Sequence, residues 1–256
     1  MKFFGALCAA LLLASLTACG GGREDARSIT VMAASDLTPA FEELGREFER
    51  RSGVRVRFSF GSSGNLAKQI ENGAPADLYA AANVTFVEDL ERKGLLVPGT
   101  KALYGRGRLT IYAAPGSPQR FERLEDLARP EVERFSIANP EHAPYGRAAH
   151  EALERAGLWE RLKEKCVFGE DVRTAQQFAD SGNVDAALVA LSLSLRGKGR
   201  WVLVPEELHG PLDQALAVVK AGRNQEDARA FAAFVNGPEG RPVMRRYGFT
   251  LPGEAP

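Results

Sequence analysis

Cysteine is scarce in this chain: of the three, Cys8 and Cys19 fall near the start, and Cys166 is left without a partner for an internal disulfide. The fold must therefore stand on its apolar core, and Cys166 is expected to be a buried structural residue. A charge excess is missing as well, since Lys plus Arg and Asp plus Glu both number 33. No global field gathers nucleic acid, so any anion must be held by local geometry. Only three histidines occur, His142, His150 and His209, and none stands at metal-ligand spacing from another. The five tyrosines are spread apart, too thinly for a ferric site of tyrosines and carboxylates. Catalytic signatures fail one by one. The hydrolase elbow breaks at Asn65, after Gly61-Ser62-Ser63-Gly64, where glycine is required. Gly105 and Gly107 are followed by Thr110 where a dinucleotide loop needs glycine, and no Walker motif is present. Neither enzymatic activity nor a cofactor is expected; a hydrolase stays as the alternative from another class.

What is present begins with Met1 and Lys2, an apolar run from Phe3 to Leu16, and Leu16-Thr17-Ala18-Cys19. This is an export signal over residues 1–18, too short to be a stable membrane span. The last four residues resemble the bacterial lipobox, which makes Cys19 the expected lipidation site. Residues 19–28 read as a lipidated flexible tether, because Gly20 to Arg27 lacks large apolar side chains to bury. The chain is thus expected outside the cytoplasm, on the periplasmic or cell-surface side of a bacterial membrane.

Strand and helix signals then alternate. Ile29–Ala34 is an apolar run, and Phe41, Leu44 and Phe48 recur at helical spacing between Pro39 and Gly53. Val54–Phe60 alternates as a strand, Leu66–Glu71 is helical, Asp77–Ala82 is a buried strand, and Asn83 caps a helix reaching Lys93. Further strands are predicted at 109–113, 134–138, 185–191, 201–204 and 215–219. Helices are predicted near Leu124, over 147–156 and 172–179, from Asn224 through Phe234, and over 241–247. This regularity argues for an α/β fold with mostly parallel sheets. Flexible points at Gly105–Gly107 and Ala221-Gly222 suggest one lobe of residues 29–106 with 222–256 and a second of residues 107–221.

Four segments share one pattern, a strand end, a loop of small or hydroxyl residues and a helix start: Ala34-Ser35-Asp36, Gly61-Ser62-Ser63-Gly64, Ala143-Pro144-Tyr145-Gly146 and Glu170-Asp171-Val172. Free amides and the dipole at a helix start bind anions without any lysine. Taken singly, each is an ordinary helix cap; taken together, open α/β sheets bind ligands where such loops meet.

The stretches 29–41, 60–78, 139–146, 170–173 and 246–249 together resemble the periplasmic molybdate-binding proteins of ABC transporters, in that family's order and across nearly the whole mature chain. The resemblance implies a two-lobed periplasmic-binding-protein architecture of type II, with mixed, mostly parallel sheets and a hinge. It implies molybdate or tungstate held as an oxyanion by hydroxyls and main-chain amides, with no residue on the metal itself. Carried over by position, it puts Ser35, Ser63, Tyr145 and Val172 on the oxyanion, with Asp36, Ser62 and Ala190 as further candidates. Ala190 stands where some members carry a tyrosine, so that contact is expected to be missing. The implied partners are the oxyanion, a transporter permease with a separate ATPase, and a membrane through Cys19. Nucleic acid is not among them, and the protein is expected to be a monomer.

Asp36 departs from the pattern. A carboxylate about 4 Å from one charge of a dianion costs roughly 4 kcal/mol at an effective dielectric near 20. The expected arrangement has Ser35 donating to the anion while Asp36 turns aside to cap the first helix. Another oxyanion such as sulfate is the alternative ligand, and a scaffold lipoprotein without a small ligand is the remaining alternative.

Overall fold

The computed structural model describes residues 27–254. The expected signal peptide, the lipidation site Cys19 and the tether up to residue 26 lie outside the described residues. Among the described residues, ten strands form two five-stranded sheets. The first half runs β1 (Ser28–Ala34), α1 (Thr38–Ser52), β2 (Arg55–Gly61), α2 (Ser63–Glu71), β3 (Leu78–Ala81), α3 (Val84–Arg92) and β4 (Ala102–Gly107). The chain then enters β5 (Leu109–Ala113), β6 (Phe135–Ala138), α4 (Pro144–Arg155), α5 (Trp159–Leu162), β7 (Cys166–Gly169) and α6 (Val172–Asp180). Next come β8 (Ala186–Ala190), α7 (Leu191–Arg196), β9 (Arg200–Leu203), β10 (Leu212–Val218), α8 (Gln225–Asn236) and α9 (Gly240–Arg246).

The sheet orders are β2-β1-β3-β10-β4 and β7-β6-β8-β5-β9. In each, one strand, β10 or β5, runs against the other four, so both sheets are mixed and mostly parallel. The two reversed strands are the ones entered from the other sheet. Edge strand β4 leads through Arg108 into β5, and edge strand β9 leads through residues 204–211 into β10. The return crossing expected near Ala221 therefore lies earlier, between β9 and β10, and β10 belongs to the first sheet. The sequence placed it wrongly because Ala221-Gly222 is a turn at the end of β10, where the Gly222 amide donates to the Val219 carbonyl at 3.0 Å.

Period-two alternation sorts the first sheet's side chains between its two faces. Ile29, Val31 and Ala33 of β1, Leu78 and Ala80 of β3, and Leu216 and Val218 of β10 join the main core with Phe41, Leu44, Phe48 and Phe231 from α1 and α8. Met32, Tyr79, Ala81, Ala215 and Ala217 face the other way and pack with Leu66 and Ile70 of α2 and Val87 and Leu90 of α3. The main core continues into the second sheet through Ile111, Phe135, Ile137 and Leu188.

Local chemistry fixes the helix ends. Gly53, at φ 70°, ends α1 by donating to the Glu49 carbonyl. Asn83 caps α3 by accepting from the Thr85 amide, and Asp171 caps α6 by accepting from the Thr174 amide at 2.8 Å. Asn224 stands at the start of α8 but does not cap it with its side chain, which donates to the Ser28 carbonyl at 2.8 Å instead. Strands β4 and β7 went unread: both are sheet edges, and β4 carries two glycines and an arginine in six residues. The helix expected near Leu124 is a short 3-10 turn, and α5 and α7 were not anticipated. Cys166 is half-buried on β7 without a disulfide, and burial pushes its thiol up to about 12, which leaves it unreactive.

Candidate functional site

Three strands of the first sheet and two of the second end at one place. Ala34 closes β1, Gly61 closes β2 and Ala82 follows β3; opposite them, the helices α4 and α6 start just after β6 and β7. Between the two sets lies a cavity of about 180 Å³ including its mouth, walled by Ala34-Ser35-Asp36, Gly61-Ser62-Ser63 and Ala82 on one side and Ala143-Pro144-Tyr145 and Val172 on the other. This is smaller than the roughly 300–1,000 Å³ of sites for drug-sized ligands, so its guest has only a few heavy atoms. Larger hollows lie elsewhere among the described residues, and none of these three shares a lining residue with this cavity.

Donors dominate the lining. Ser63 is fully buried, and its hydroxyl oxygen accepts from the Ala82 amide at 3.0 Å. That bond holds the hydroxyl in place while leaving its proton to be donated. Ser63 is also the first residue of α2, three residues earlier than the sequence pattern implied, so its amide belongs to a helix start. Tyr145 and Val172 open α4 and α6, and their amides have no acceptor among the described residues. The helix α4 likewise begins three residues early, at Pro144, which has no N–H to lose. Ser35 is buried in a 3-10 turn before α1, with its hydroxyl unpartnered among the described residues. No lysine or arginine lines the cavity. Among the described residues, no group of three or more His, Cys, Asp or Glu is arranged to hold a metal ion.

Asp36 does not cap the first helix. The residue before α1 is Leu37, with no side-chain cap, and the Asp36 carboxylate turns into a buried polar cluster instead. Its Oδ2 accepts from Gln214 Nε2 at 2.8 Å, and Gln214 Nε2 also donates to the Tyr145 hydroxyl at 3.2 Å. Gln214 Oε1 accepts from the Tyr104 hydroxyl at 2.7 Å. A register shift between Gln214 and Ala215 in β10 aims this glutamine inward, as bulges beside functional sites do. Burial pushes the Asp36 carboxyl up to about 6; hydrogen bonding from Gln214 and the nearby Tyr145 hydroxyl opposes the rise, and the charge of Asp171 adds to it. Its second oxygen, Oδ1, has no partner of hydrogen-bonding geometry. Burial likewise holds the Tyr104 and Tyr145 phenols well above their ordinary value, so both stay neutral.

Bonds cross from one wall to the other. The Gly64 amide donates to the His142 carbonyl at 2.9 Å, and Ser62 Oγ lies 2.9 Å from His142 Nδ1. Asn65 Nδ2 donates to Glu170 Oε1 at 2.9 Å, and Ser192 Oγ donates to the Asp36 main-chain carbonyl at 2.7 Å. The two sheets are therefore drawn together over the cavity.

Six of the seven candidate residues, Ser35, Asp36, Ser62, Ser63, Tyr145 and Val172, meet at this cavity. Ala190 does not: it ends β8, paired with Leu109, and lies outside the lining. Sequence reasoning missed Gln214 and Tyr104, while His142, read as a structural residue beside the Pro144-Tyr145 loop, bridges to Ser62 and Gly64. A single signal was available, a glutamine that opens the apolar run 215–219.

Residues 29–250 match the family described as bacterial extracellular solute-binding protein. The molybdate-binding protein ModA of Azotobacter vinelandii is 34% identical over 244 residues, covering 93% of this chain and 94% of the relative. That of Escherichia coli K12 is 32% identical, covering 93% and 94%. The solved periplasmic molybdate-binding protein of A. vinelandii superposes with a TM-score of 0.82 at 28% identity, covering 88% of this chain and 99% of that one.

Proposed function

The chain belongs to the bacterial extracellular solute-binding proteins and, among them, to the ModA molybdate-binding family, and from that premise we propose that its cavity captures molybdate or tungstate for an ABC importer. One observation carries the reading: helix-start amides from both walls and the Ser35 and Ser63 hydroxyls meet at one small cavity with no lysine or arginine in its lining. Ser35 and Ser63 donate through hydroxyls, and Tyr145 and Val172 through amides, each to an oxygen of a tetrahedral anion. Ser62 holds the opposite wall through His142 rather than the anion. The metal stays inside its oxygen shell and no side chain ligates it. Because the guest touches both walls, it stabilises the closed form over an open one, and the hinge is formed by the two crossings, at Arg108 and at residues 204–211.

The rest of the assignment follows the same family logic. The protein works outside the cytoplasm as a monomer, tethered by lipid on Cys19, and hands its cargo to a permease driven by a separate ATPase. It carries out no reaction. Metabolic labelling with a fatty acid checks the anchor: wild type takes up label and Cys19→Ala does not.

Thermal unfolding with molybdate, tungstate, sulfate and phosphate tests the ligand. At a hundredfold excess over Kd, linkage contributes about 2.7 kcal/mol, which for a chain of this size is roughly 5–10 °C in Tm. Molybdate and tungstate are expected to give that shift. A shift with sulfate alone would make this a sulfate-binding protein, and flat responses throughout would leave no oxyanion function.

A further inference from the structure

Asp36 is fully buried, it lines the cavity, and one of its two oxygens is left over. Oδ2 is spoken for by Gln214 Nε2 at 2.8 Å, whose own Oε1 is occupied by the Tyr104 hydroxyl. Oδ1 is buried with no partner. As a carboxylate oxygen it is an unmet acceptor on a residue that lines the cavity; as a carboxyl O–H it becomes one more donor.

The groups facing Asp36 offer no positive charge to neutralise it. From α4 comes the Tyr145 phenol, from β4 the Tyr104 phenol through Gln214 of β10, and from the start of α6 the carboxylate of Asp171. Ser192 of α7 reaches only the main-chain carbonyl. His142 is held by Ser62, one residue from the lining. A dianion entering this space meets an acid whose ionised form repels it and whose protonated form hydrogen-bonds to it.

We propose that the site binds its oxyanion together with one proton, taken from solvent by Asp36 and carried on Oδ1, from which it is donated to an anion oxygen. The proposal rests on the oxyanion reading above and adds to it a dependence on pH. The balance is simple: one carboxylate and one proton give one carboxyl, and the anion is unchanged. Burial has already brought the carboxyl up to about 6 without any anion present, so a dianion in contact has only to extend a shift that the fold begins. The acid form is favoured in the complex, so affinity is greatest at low pH and falls by up to tenfold per pH unit as the free protein ionises.

Titration calorimetry of the full mature protein with sodium molybdate, at pH 6.5 and 8.5 and in two buffers of different protonation enthalpy, tests this. At pH 8.5 the wild type is expected to take up about one proton per molybdate, and Kd is expected to weaken at least tenfold between the two pH values. Asp36→Asn, which keeps the shape and places an amide donor where Oδ1 stood, is expected to take up no proton, to bind with a Kd constant within twofold, and to bind more tightly than wild type at pH 8.5. Wild-type binding with no proton uptake and a flat Kd would overturn the proposal and leave the oxyanion function standing. A pH dependence that survives unchanged in Asp36→Asn would also overturn it, since the proton would then be on another group. Failure of both proteins to bind molybdate or tungstate at either pH would overturn both readings together.

Discussion

The main-chain amide of Gly64, in the first turn of α2, donates to the carbonyl of His142 across the cavity at 2.9 Å. A helix start that offers its amides to a small guest thus spends one of them on the opposite wall. The donor must be a glycine for steric reasons: a Cβ on residue 64 would sit 2.8 Å from the His142 carbonyl oxygen and 2.9 Å from the His142 Cβ. The fold closes only as far as this contact allows.

Gly64→Ala therefore separates folding from closure. The substituted residue is helical and meets nothing else in its own lobe at that distance, so stability of the ligand-free protein is expected to hold within about 1 kcal/mol. Affinity for molybdate is expected to fall by about a hundredfold, because the walls no longer meet, and calorimetry measures it directly. Unchanged affinity would show that closure does not need this approach.

Ser63→Ala removes a hydroxyl that is fixed by the Ala82 amide at the cavity wall and that the proposed function uses as a donor. Hydrogen bonds to charged groups contribute about 1.5–3 kcal/mol, so Kd is expected to rise roughly ten- to a hundredfold. The substitution also leaves the Ala82 amide unpaired, so the ligand-free protein should lose about 1 kcal/mol of stability in a denaturant titration.

Gly107 is the last residue of β4, and a Cβ there would overlap the Tyr145 hydroxyl and come within 2.6 Å of Gln214 Nε2. Gly107→Ala is expected to destabilise the protein by about 1–3 kcal/mol through overpacking. Because Tyr145 also supplies a cavity amide, weaker molybdate binding should accompany the lower Tm, whereas Gly116→Ala, at φ 80° with open space around it, should lower Tm through backbone strain alone and leave molybdate binding unchanged.

Asp36 makes the ligand-free protein sensitive to pH in a direction opposite to most carboxylates. Its carboxyl is raised from the ordinary 3.8 to about 6, so the native state holds a proton that the unfolded chain has already lost. No penalty exists below the unfolded value; it grows through the window between the two and is complete above about 6, where it reaches roughly 3 kcal/mol at about 1.4 kcal/mol per unit. Urea unfolding of wild type and Asp36→Asn, both without ligand, is expected to show a gap in favour of the asparagine that is roughly 2–2.5 kcal/mol larger at pH 7 than at pH 4. A gap that does not change with pH would mean that Asp36 is not buried as described.

Much of this architecture was legible in the chain because two simple signals agreed. The alternation of Val54 to Phe60 and the helical spacing of Phe41, Leu44 and Phe48 gave elements of the right kind at nearly the right ends. The four loops were legible for a related reason, since glycines and serines at strand ends have few other uses. Tertiary contacts decided what was misread. Ser63-Gly64 and Pro144-Tyr145 look like loop by composition, yet helices start there: the Gly64 amide bonds the His142 carbonyl across the cavity, and Gly146 leaves room for the Ala138 carbonyl. The edge strands β4 and β7 bury too little to show a pattern. The partners of Gln214 were not legible in the sequence, because they lie far away in the chain, at Asp36, Tyr104 and Tyr145, beside a register shift in β10.

Crystals grown with tungstate, measured at the tungsten absorption edge, test the central claim most directly. The account predicts one strong anomalous peak inside the cavity, its oxygens within hydrogen-bonding distance of the Ser35 and Ser63 hydroxyls and the Tyr145 and Val172 amides, with no side chain on the tungsten itself. A peak elsewhere on the protein, or a closed cavity without tungsten at saturating concentration, would contradict it.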